Sequence, residues 1–459
     1  MRARLLALAV GALVAAGGAS ADEAAPPAQN LEGRPGVSET SPLQARIDAA
    51  APGATVEVAA GTWTGDLWID KPLRLVGRGR PRLVGSSRGS VVRVRAAEVT
   101  VEGFDIDGRG GGDLARDTAG VHVAAARATV RDCRIAGCLF GIYLRASDDA
   151  TVAGCTIAGI PGKDPGEKGS GIHVWNSQRF RLERNEIRDV RDGFYIQSSS
   201  GGVVRGNVAR DLRYGLHYMF SDDNLFEDNL FENGAAGTAL MYSKRITFRR
   251  NRFVRNRGFA SVGLLLKACD EVVAEDNLIA DNARGIFLEG SYDNVFRGNV
   301  VAASDVALVI YDSCARNAFT GNSFVGNLSP LSLSGRRTDT RFEGNFWSDA
   351  SEPDLDGDGR SDRPYRLSSV FDHLRGNLTA ADLLAQSLAA RALGAAELAF
   401  PVLAPVAVED VSPLARAPEL AVPEWTPRGR SGADPAGMLG ALALLSAGGA
   451  TLARGRRRR

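Results

Sequence analysis

The stretch FRLERNEIRDVRDGFYIQSSSGGVVRGNVARDLRYGLHYMFSDDNLFEDN (residues 180–229) contains two short repeats that alternate along the chain. The first repeat ends in an asparagine, as in FRLERN and VVRGN, and the second begins with a glycine, as in GFYIQ and GLHYM. Both repeats continue beyond this stretch. The asparagines lie 22 to 26 residues apart, at Asn185, Asn207, Asn229, Asn251, Asn277, Asn299, Asn322 and Asn345. The glycines recur in parallel with the asparagines, at Gly120, Gly141, Gly171, Gly193, Gly215, Gly237, Gly263 and Gly285.

Two short strands in each repeat unit, bounded by Gly, Asn or Asp, are typical of a coil in a right-handed parallel β-helix. Coils stack about 4.8 Å apart, so equivalent residues form columns. We therefore predict an all-β protein of about 10 to 13 coils of roughly 22 residues, followed by a C-terminal helical and extended arm. The asparagine column is explained by architecture, because its amides satisfy backbone groups at a bend. Cys133 and Cys155 occupy the same column, where a disulfide is compatible with the spacing but not required.

The two ends of the chain carry targeting signals. Basic residues, the apolar run 5–16 and the small residues 19–21 predict a secretory signal peptide, so that the mature chain begins at Asp22 outside the cytoplasm. The apolar run 436–453, followed at once by an arginine-rich tail, predicts attachment to the inner membrane with the body in the periplasm. A cleaved sorting tail and an Ala/Gly tail without fixed structure are the alternatives.

These features divide the chain into seven segments. They are a signal peptide (1–21), an N-terminal lead-in and cap (22–54), the β-helix (55–347), a junction loop (348–375), the arm (376–415), a linker (416–435) and the C-terminal apolar segment with its Arg tail (436–459). Once the basic termini are removed, the body has more acidic than basic side chains. It lacks the basic surface that binding to a phosphate backbone requires, which excludes nucleic acid as a partner.

Histidine and methionine are rare in this chain, and the glycine repeats place several of them in two columns of outward-facing side chains. Side chains alternate inward and outward after each glycine, so three of the four histidines in the chain share one column. His217, Met219 and Met241 come together on two neighbouring coils, and imidazole with two thioethers suits Cu(I). The alternative is a stripe that docks a partner protein, in which we also place His122, His173, Tyr195 and Trp175. No pair of carboxylates stands out as an acid/base couple, so we predict no catalytic residues.

A second candidate metal site follows the last coil. Asp354, Asp356, Asp358 and Asp362 occupy positions 1, 3, 5 and 9 of a calcium-loop pattern, with Gly359 at position 6. Position 12, where a carboxylate is expected, is Tyr365. Weak calcium binding and a polar turn without a metal are both consistent with this pattern.

Five segments of the chain resemble the periplasmic NosD family, accessory proteins for the maturation of nitrous oxide reductase in denitrification. They are GLHYMFS (215–221), TALMYS (238–243), GNFWSD (344–349), DLDGDGRSDRPYR (354–366) and FPVLAP (400–405). The resemblance covers residues 56 to 414 and implies the β-helix of carbohydrate-binding and sugar-hydrolase (CASH) repeats. It implies a non-enzymatic protein that works with an ABC transporter and a copper chaperone to deliver copper, with sulfur as a further cargo, toward the reductase. On that basis the arm docks the membrane subunits of the transporter, and ATP-driven changes of the ATPase subunits in the cytoplasm move the protein.

Two other functions compete with this interpretation. One is an envelope-anchored carbohydrate-active enzyme or glycan-binding protein, because glycan lyases, epimerases and hydrolases share such repeats. The other is a structural or adhesive β-helix displayed at the cell envelope.

Overall fold

The computed structural model describes residues 41–112, 114–258, 261–335, 338–350, 353–367 and 408–419, together with 387–389, 392, 393 and 396. The predicted signal peptide, most of the predicted arm, and the apolar segment 436–459 with its Arg tail lie outside these residues. The positions 388, 389, 392, 393 and 396 of the arm are helical. Within the described part of the chain, no helix is long and apolar enough to cross a membrane.

The described residues form forty strands in three sheets, and the predicted parallel β-helix is confirmed. Sheet A contains, in spatial order, β1 Thr55–Val58, β4 Arg74–Gly77, β7 Thr100–Glu102, β10 Thr129–Arg131, β13 Thr151–Ala153, β16 Arg181–Glu183, β19 Val203–Arg205, β22 Leu225–Glu227, β25 Thr247–Arg249, β28 Val273–Glu275, β31 Val295–Arg297, β34 Ala318–Thr320, β37 Arg341–Glu343, β40 Glu409–Asp410 and β39 Tyr365–Arg366. Sheet B contains β2 Thr62–Thr64, β5 Arg82–Val84, β8 Asp105–Asp107, β11 Arg134–Ala136, β14 Thr156–Ala158, β17 Glu186–Arg188, β20 Val208–Arg210, β23 Leu230–Glu232, β26 Arg252–Val254, β29 Leu278–Ala280, β32 Val300–Ala302, β35 Ser323–Val325 and β38 Phe346–Trp347. Sheet C contains β3 Leu67–Ile69, β6 Val92–Val94, β9 Ala119–Val123, β12 Phe140–Arg145, β15 Ser170–Trp175, β18 Asp192–Gln197, β21 Tyr214–Met219, β24 Ala236–Lys244, β27 Val262–Asp270, β30 Arg284–Glu289, β33 Val306–Tyr311 and β36 Ser329–Ser334.

Each coil contributes three strands, one to each sheet, and not the two that the repeats predict. The first repeat forms the strands of sheet A and the second those of sheet C. The strands of sheet B follow directly after the asparagines and mostly span three residues, with a single inward residue such as Ile187 in β17. One inward residue gives no alternating pattern, which is why this sheet is not visible in the sequence.

The asparagine column is a continuous hydrogen-bonded ladder inside the bend between sheets A and B. Asn251, which is fully buried, shows the arrangement. Its side-chain amide donates to the carbonyl of Phe226 (2.9 Å) and to Oδ1 of Asn277 (3.1 Å). Its own Oδ1 accepts from the backbone N–H (3.0 Å) and the side chain (2.9 Å) of Asn229. The ladder therefore satisfies the buried polar groups of every bend it passes.

The interior is filled by inward residues that stack from coil to coil. Phe226 lies on Phe248 with ring centroids 4.9 Å apart, and Phe296 lies on Phe319 at 4.3 Å. All five cysteines are buried as free thiols, and Cys133 and Cys155 are neighbours on adjacent coils without a bond between their sulfurs. The spacing leaves a disulfide between these two open, and in this structure both thiols are free.

Both ends of the described β-helix are covered. Helix α1 (Pro42–Ala49) begins after the N-cap Ser41 and buries Leu43 and Ile47 against the first coil. At the other end β40 pairs with β37 and places Asp410 at the end of the asparagine ladder. The fully buried carboxylate of Asp410 accepts hydrogen bonds from Asn345 (backbone N–H and side chain, both 2.9 Å) and from Nε1 of Trp347 (3.1 Å). These caps hide strand edges that would otherwise pair with other chains.

Two further short helical turns interrupt the coils. They are 3₁₀ turns at Leu114–Arg116 and Pro165–Glu167. Both lie in the longer loops that precede strands of sheet C.

Candidate functional site

The outward face of sheet C carries a column of rings and charges, here called the aromatic column. Its members stand opposite one another on successive strands: Trp68, Arg93, His122, Tyr143, His173, Tyr195 and His217. The column continues with Ala239, Leu265 and Phe287. The register therefore gives the column that the glycine repeats predict.

The middle of the aromatic column is a stack of neutral rings. His173 lies between Tyr143 and Tyr195, with ring centroids 4.4 Å away on both sides. Burial, reinforced by the positive charges of Arg93 and Arg145, lowers the pKa of His122 to about 4. Burial and the charge of Arg191 lower the pKa of His173 to about 3. Both imidazoles are therefore uncharged at neutral pH and act as aromatic rings.

The column becomes more exposed toward its C-terminal end. His122 is only 7% exposed, and Nε2 of this side chain has no hydrogen-bond partner in the described residues. His173, Tyr195 and Trp175 are partly exposed, and the guanidinium of Arg145 lies 5.1 Å from the ring of Trp175. Three of the four residues assigned to a docking stripe thus reach the surface, whereas His122 is covered. The docking role of these residues stays a prediction.

His217, the last ring of the column, faces a buried carboxylate. Nδ1 of His217 lies 3.4 Å from Oδ2 of Asp192, and Asp192 is fully buried. Arg213 donates to both oxygens of that carboxylate at 2.9 and 2.7 Å, and Arg191 donates to Oδ2 at 3.1 Å. Burial alone would raise the pKa of Asp192, but contacts with His217 and Arg213 hold it well below its usual range. Asp192 is therefore ionised, and it faces one nitrogen of His217.

Nδ1 is buried, and its 3.4 Å approach to Asp192 is a charge contact that falls short of a hydrogen bond, while no hydrogen bond is made by Nε2 within the described part of the chain. The residue opposite His217 on the next strand is Ala239, whose small side chain does not extend over the imidazole. Two residues along the same strand, Met219 stands directly opposite Met241. Both methionines are partly exposed. One imidazole nitrogen and two thioether sulfurs are therefore available on neighbouring strands about 4.8 Å apart.

A second outward column runs beside the aromatic column, two residues further along each strand, through Arg145, Trp175, Gln197, Met219, Met241, Lys267 and Glu289. Two polar contacts border His217, Met219 and Met241 on either side. On the N-terminal side the hydroxyl of Tyr195 donates to Gln197 at 2.8 Å. On the C-terminal side Lys267 and Glu289 form an ion pair at 3.2 Å. The bordering polar side chains thus pair with one another. The ligand atoms that remain, on His217, Met219 and Met241, form a soft set that suits Cu(I) better than Mg²⁺ or Ca²⁺.

Asp192 is the residue of the candidate site that the sequence analysis missed. It occupies the position before the glycine, where the neighbouring strands carry Ser170, Tyr214 and Ala236. An acidic residue at a position that these three neighbouring strands fill with small or aromatic side chains was the available signal. It lies one coil before His217, and only the stacking of coils brings the two together.

The aspartate loop after the last coil brings three of its four predicted residues together. Carboxylate oxygens of Asp354, Asp356 and Asp358 lie within 4.8 Å of one another. Those of Asp354 already accept the N–H groups of Gly357 (2.7 Å) and Gly359 (3.1 Å). Asp362 is not part of this cluster and accepts the N–H of Leu355 instead. The hydrogen bonds account for the turn by themselves, and calcium binding stays a prediction.

Comparison with known proteins places these residues in a family context. Residues 158–352, which include Asp192, His217 and both methionines, match the family described as periplasmic copper-binding protein (NosD). A protein of Stutzerimonas stutzeri named probable ABC transporter binding protein NosD is 30% identical over 379 residues, which cover 78% of this chain and 86% of that protein. A protein of the same name from Pseudomonas aeruginosa is 29% identical over 377 residues, covering 79% and 88% of the two chains.

Solved structures of other proteins share this fold at low sequence identity. The A-modules of the Azotobacter vinelandii mannuronan C-5 epimerases AlgE4 and AlgE6 give TM-scores of 0.55 and 0.56 at 16% identity. They cover 64% and 67% of this chain, and 94% and 95% of the epimerase modules. The N-terminal fragment of bacteriophage Phi29 gene product 12 gives 0.57 at 12% identity, covering 66% of this chain and 63% of that fragment. These likenesses show the fold alone, since one fold serves many functions.

Proposed function

Because the chain belongs to the NosD family, we propose that it is a periplasmic accessory protein that binds copper as Cu(I) through His217, Met219 and Met241. In this proposal the protein is a binding and assembly factor and does not catalyse a reaction. The copper is a cargo that it receives and passes on, and not a resident cofactor.

The contact between His217 and Asp192 carries the proposal. Histidines that bind metals almost always direct their second ring nitrogen toward a carboxylate, a carbonyl or water, which fixes the tautomer and the ring orientation. Asp192 supplies such a carboxylate 3.4 Å from Nδ1. A proton held on Nδ1 leaves the lone pair of Nε2 for a metal. A histidine that served only to stack in the column would not need a buried, ionised partner.

The donor set selects the ion. Thioether sulfur is a soft ligand that favours Cu(I) over zinc and over hard cations. Met219 and Met241 are two of only four methionines in the chain, and they stand on the two coils that meet at His217. The Asp192 carboxylate is already paired with Arg213 and Arg191, so in this proposal it orients His217 and does not neutralise the bound ion.

The partners follow from the family. The relatives are named as ABC transporter binding proteins, and we propose the same association for this chain, with a copper chaperone as donor and nitrous oxide reductase as the recipient of copper and sulfur. The C-terminal apolar segment would hold the protein at the inner membrane. In the aspartate loop, Asp354, Asp356 and Asp358 would bind calcium at best weakly, with a dissociation constant on the order of 10⁻⁴–10⁻³ M, as in extracellular modules.

Competition for Cu(I) against a calibrated chelator tests the copper site. The exported chain should bind one Cu(I) with a dissociation constant below micromolar, and the triple variant His217→Ala, Met219→Ala, Met241→Ala should lose at least 100-fold in affinity. Gln197→Ala, one coil before Met219 in the same column, is the matched control and should bind as the wild type does. Equal affinities of the triple variant and the wild type would refute the site.

A further inference from the structure

The outward face of sheet B changes its chemistry along the molecule. The first and third residues of each three-residue strand face outward. On β11, β14, β17 and β20 these positions are exposed or partly exposed, and they include Arg134, Arg188 and Arg210. On β26, β29 and β32 the outward side chains of Val254, Leu278, Ala280 and Ala302 are apolar and buried. These four residues, with Leu230 and Val300 packed against them, are called here the sheet B patch.

Four alanines of one outward column show that the patch is covered. Ala136, Ala158, Ala280 and Ala302 all take the third position of their strands and face the same way. Ala136 is exposed and Ala158 is partly exposed, as expected for the outside of a β-helix. Ala280 and Ala302 are both 0% exposed. A methyl group on an open sheet face cannot exclude water from itself, so a part of the molecule outside sheet B lies over these positions.

A buried hydroxyl beside the patch indicates that this cover is apolar. Ser323 faces outward on β35 and stands next to Val300 in the other outward column. It is 3% exposed, and its hydroxyl has no hydrogen-bond partner among the described residues. A polar cover would offer a donor or an acceptor, since buried polar groups are normally paired. Apolar side chains over Ser323 account for a hydroxyl that is both buried and unpaired.

The chain between Leu367 and Val408 leaves the body and returns to it at one point. The N–H of Leu367 donates to the carbonyl of Val408 at 2.9 Å, and β39 pairs antiparallel with β40 beside the last coil. Within this excursion the segment 379–399 is rich in Ala and Leu. As a helix it would span about 31 Å, whereas the distance from β23 to β35 across the patch is about 19 Å. The segment is therefore long enough to cover the patch from its anchored ends.

The described helical positions of this segment all fall on one helix face. They are 388, 389, 392, 393 and 396, which a period of 3.6 residues places side by side. Leu388 on this face is 82% exposed, so the face is turned toward solvent. The same period places Leu383, Ala390 and Leu398 on the opposite face. That face supplies the apolar side chains that the sheet B patch requires.

We propose that the segment 368–407 folds back from the last coil and packs the apolar face of its helix on the sheet B patch. The arm is then a fixed part of the body, so that the arm and the β-helix move together. It also closes this part of sheet B to partner proteins. The inference concerns a surface apart from the copper site on sheet C and does not depend on the proposed function.

Other occupants fit the patch less well. A second copy of the chain is not needed, because the burial arises within one chain. Residues 22–40 join helix α1, which lies against the first coil at the opposite end of the β-helix. Residues 259 and 260 are too few to cover both outward columns from Leu278 to Ser323. The segment 420–459 is held next to the last coil at one end only, and its Pro- and Arg-containing linker separates the apolar run from the body.

The test places a charge in the patch of the full chain. Ala280→Asp and Ala302→Asp, made singly, bury a carboxylate under the cover without altering the inward core, and Ala158→Asp puts the same charge in the same column where it is open. Thermolysin cleavage within 368–407, mapped by mass spectrometry, should become about tenfold faster or more in the two patch variants, because cleavage follows the population of the open form. The control should be cleaved at the wild-type rate. Hydrogen exchange should show protected amides in 379–399 of the wild type and loss of that protection in the patch variants, with the strands of sheets A and C protected in all four proteins.

Each other result overturns the assignment. Equal cleavage of the patch variants and the control would do so, and so would wild-type exchange in 379–399 as fast as in a free peptide, a measurement that needs no variant. Protection that is lost on truncation after residue 419 would assign the cover to the C-terminal segment. A wild-type dimer in analytical ultracentrifugation that Ala302→Asp dissociates would assign it to a second copy.

Discussion

Replacing Asp192 by asparagine changes one oxygen of a buried carboxylate to nitrogen and should weaken Cu(I) binding without touching a metal ligand. The negative charge 3.4 Å from Nδ1 of His217 disappears, and the neutral amide oxygen that remains is a weaker acceptor for a proton on that nitrogen. Loss of such an outer-shell partner typically lowers metal affinity by about 10 to 100-fold. Since each factor of ten corresponds to about 1.4 kcal/mol, the expected loss is about 1.4–2.8 kcal/mol.

The same change also affects folding, and the two effects must be measured separately. Removing one partner of a buried ion pair costs about 3–5 kcal/mol when the other charge stays buried. Here the side chain of Arg213 is 38% exposed and that of Arg191 is 25% exposed, so both can regain water. We therefore expect a loss of about 2–3 kcal/mol in the free energy of unfolding, which leaves a folded protein for the binding measurement.

The assay is chelator competition at 25 °C combined with urea unfolding of the same preparations. Glu289→Gln is the matched control, because that carboxylate belongs to a partly exposed pair with Lys267 on the same sheet face. The control should bind Cu(I) normally and lose at most about 1 kcal/mol of stability. If Asp192→Asn binds Cu(I) as tightly as the wild type while His217→Ala does not, the reasoning about the carboxylate is wrong.

Three further predictions concern the fold. Asp410→Ala should lower the free energy of unfolding by about 3 kcal/mol or more because it leaves several buried donors without acceptors. Asp410→Asn keeps one acceptor oxygen for Asn345 and Trp347 but turns its NH2 group toward the N–H groups of Gly344 and Ser412, so it should cost about 2 kcal/mol; equal costs in urea unfolding would contradict the ladder cap. Asn251→Ala removes two donated and two accepted hydrogen bonds and should cost roughly 2–4 kcal/mol, against less than about 1 kcal/mol for the exposed Asn176→Ala. Burial, with the charge of Arg191, lowers the pKa of His173 to about 3, so the unfolded chain takes up this proton below about pH 6.5 while the folded chain does not. Stability should therefore be full above pH 6.5 and fall toward pH 3, and His173→Phe should lose less stability than the wild type between pH 7.5 and pH 5; identical losses would count against an imidazole that stays neutral in the folded chain.

The columns could be predicted from the sequence because a β-helix converts spacing along the chain into proximity in space. Once the glycine repeats are aligned, His217 must stand beside Tyr195, and Met219 opposite Met241, as the register shows. The asparagine ladder follows in the same way, since a buried amide in every coil has its neighbours above and below as partners.

The remaining features depend on contacts that no repeat encodes. Asp410 reaches the asparagine ladder from 65 residues beyond Asn345, so no spacing could connect them. Asp192 gains its meaning only when Arg213 and His217 of the next coil are placed around it.

An anomalous-scattering crystal structure of the Cu(I)-loaded protein tests the central claim most directly. We predict one copper peak on the outward face of sheet C, within bonding distance of Nε2 of His217 and of the sulfurs of Met219 and Met241, with Nδ1 still facing Asp192. A copper ion bound elsewhere, or at Nδ1 of His217 with the carboxylate displaced, would contradict the account.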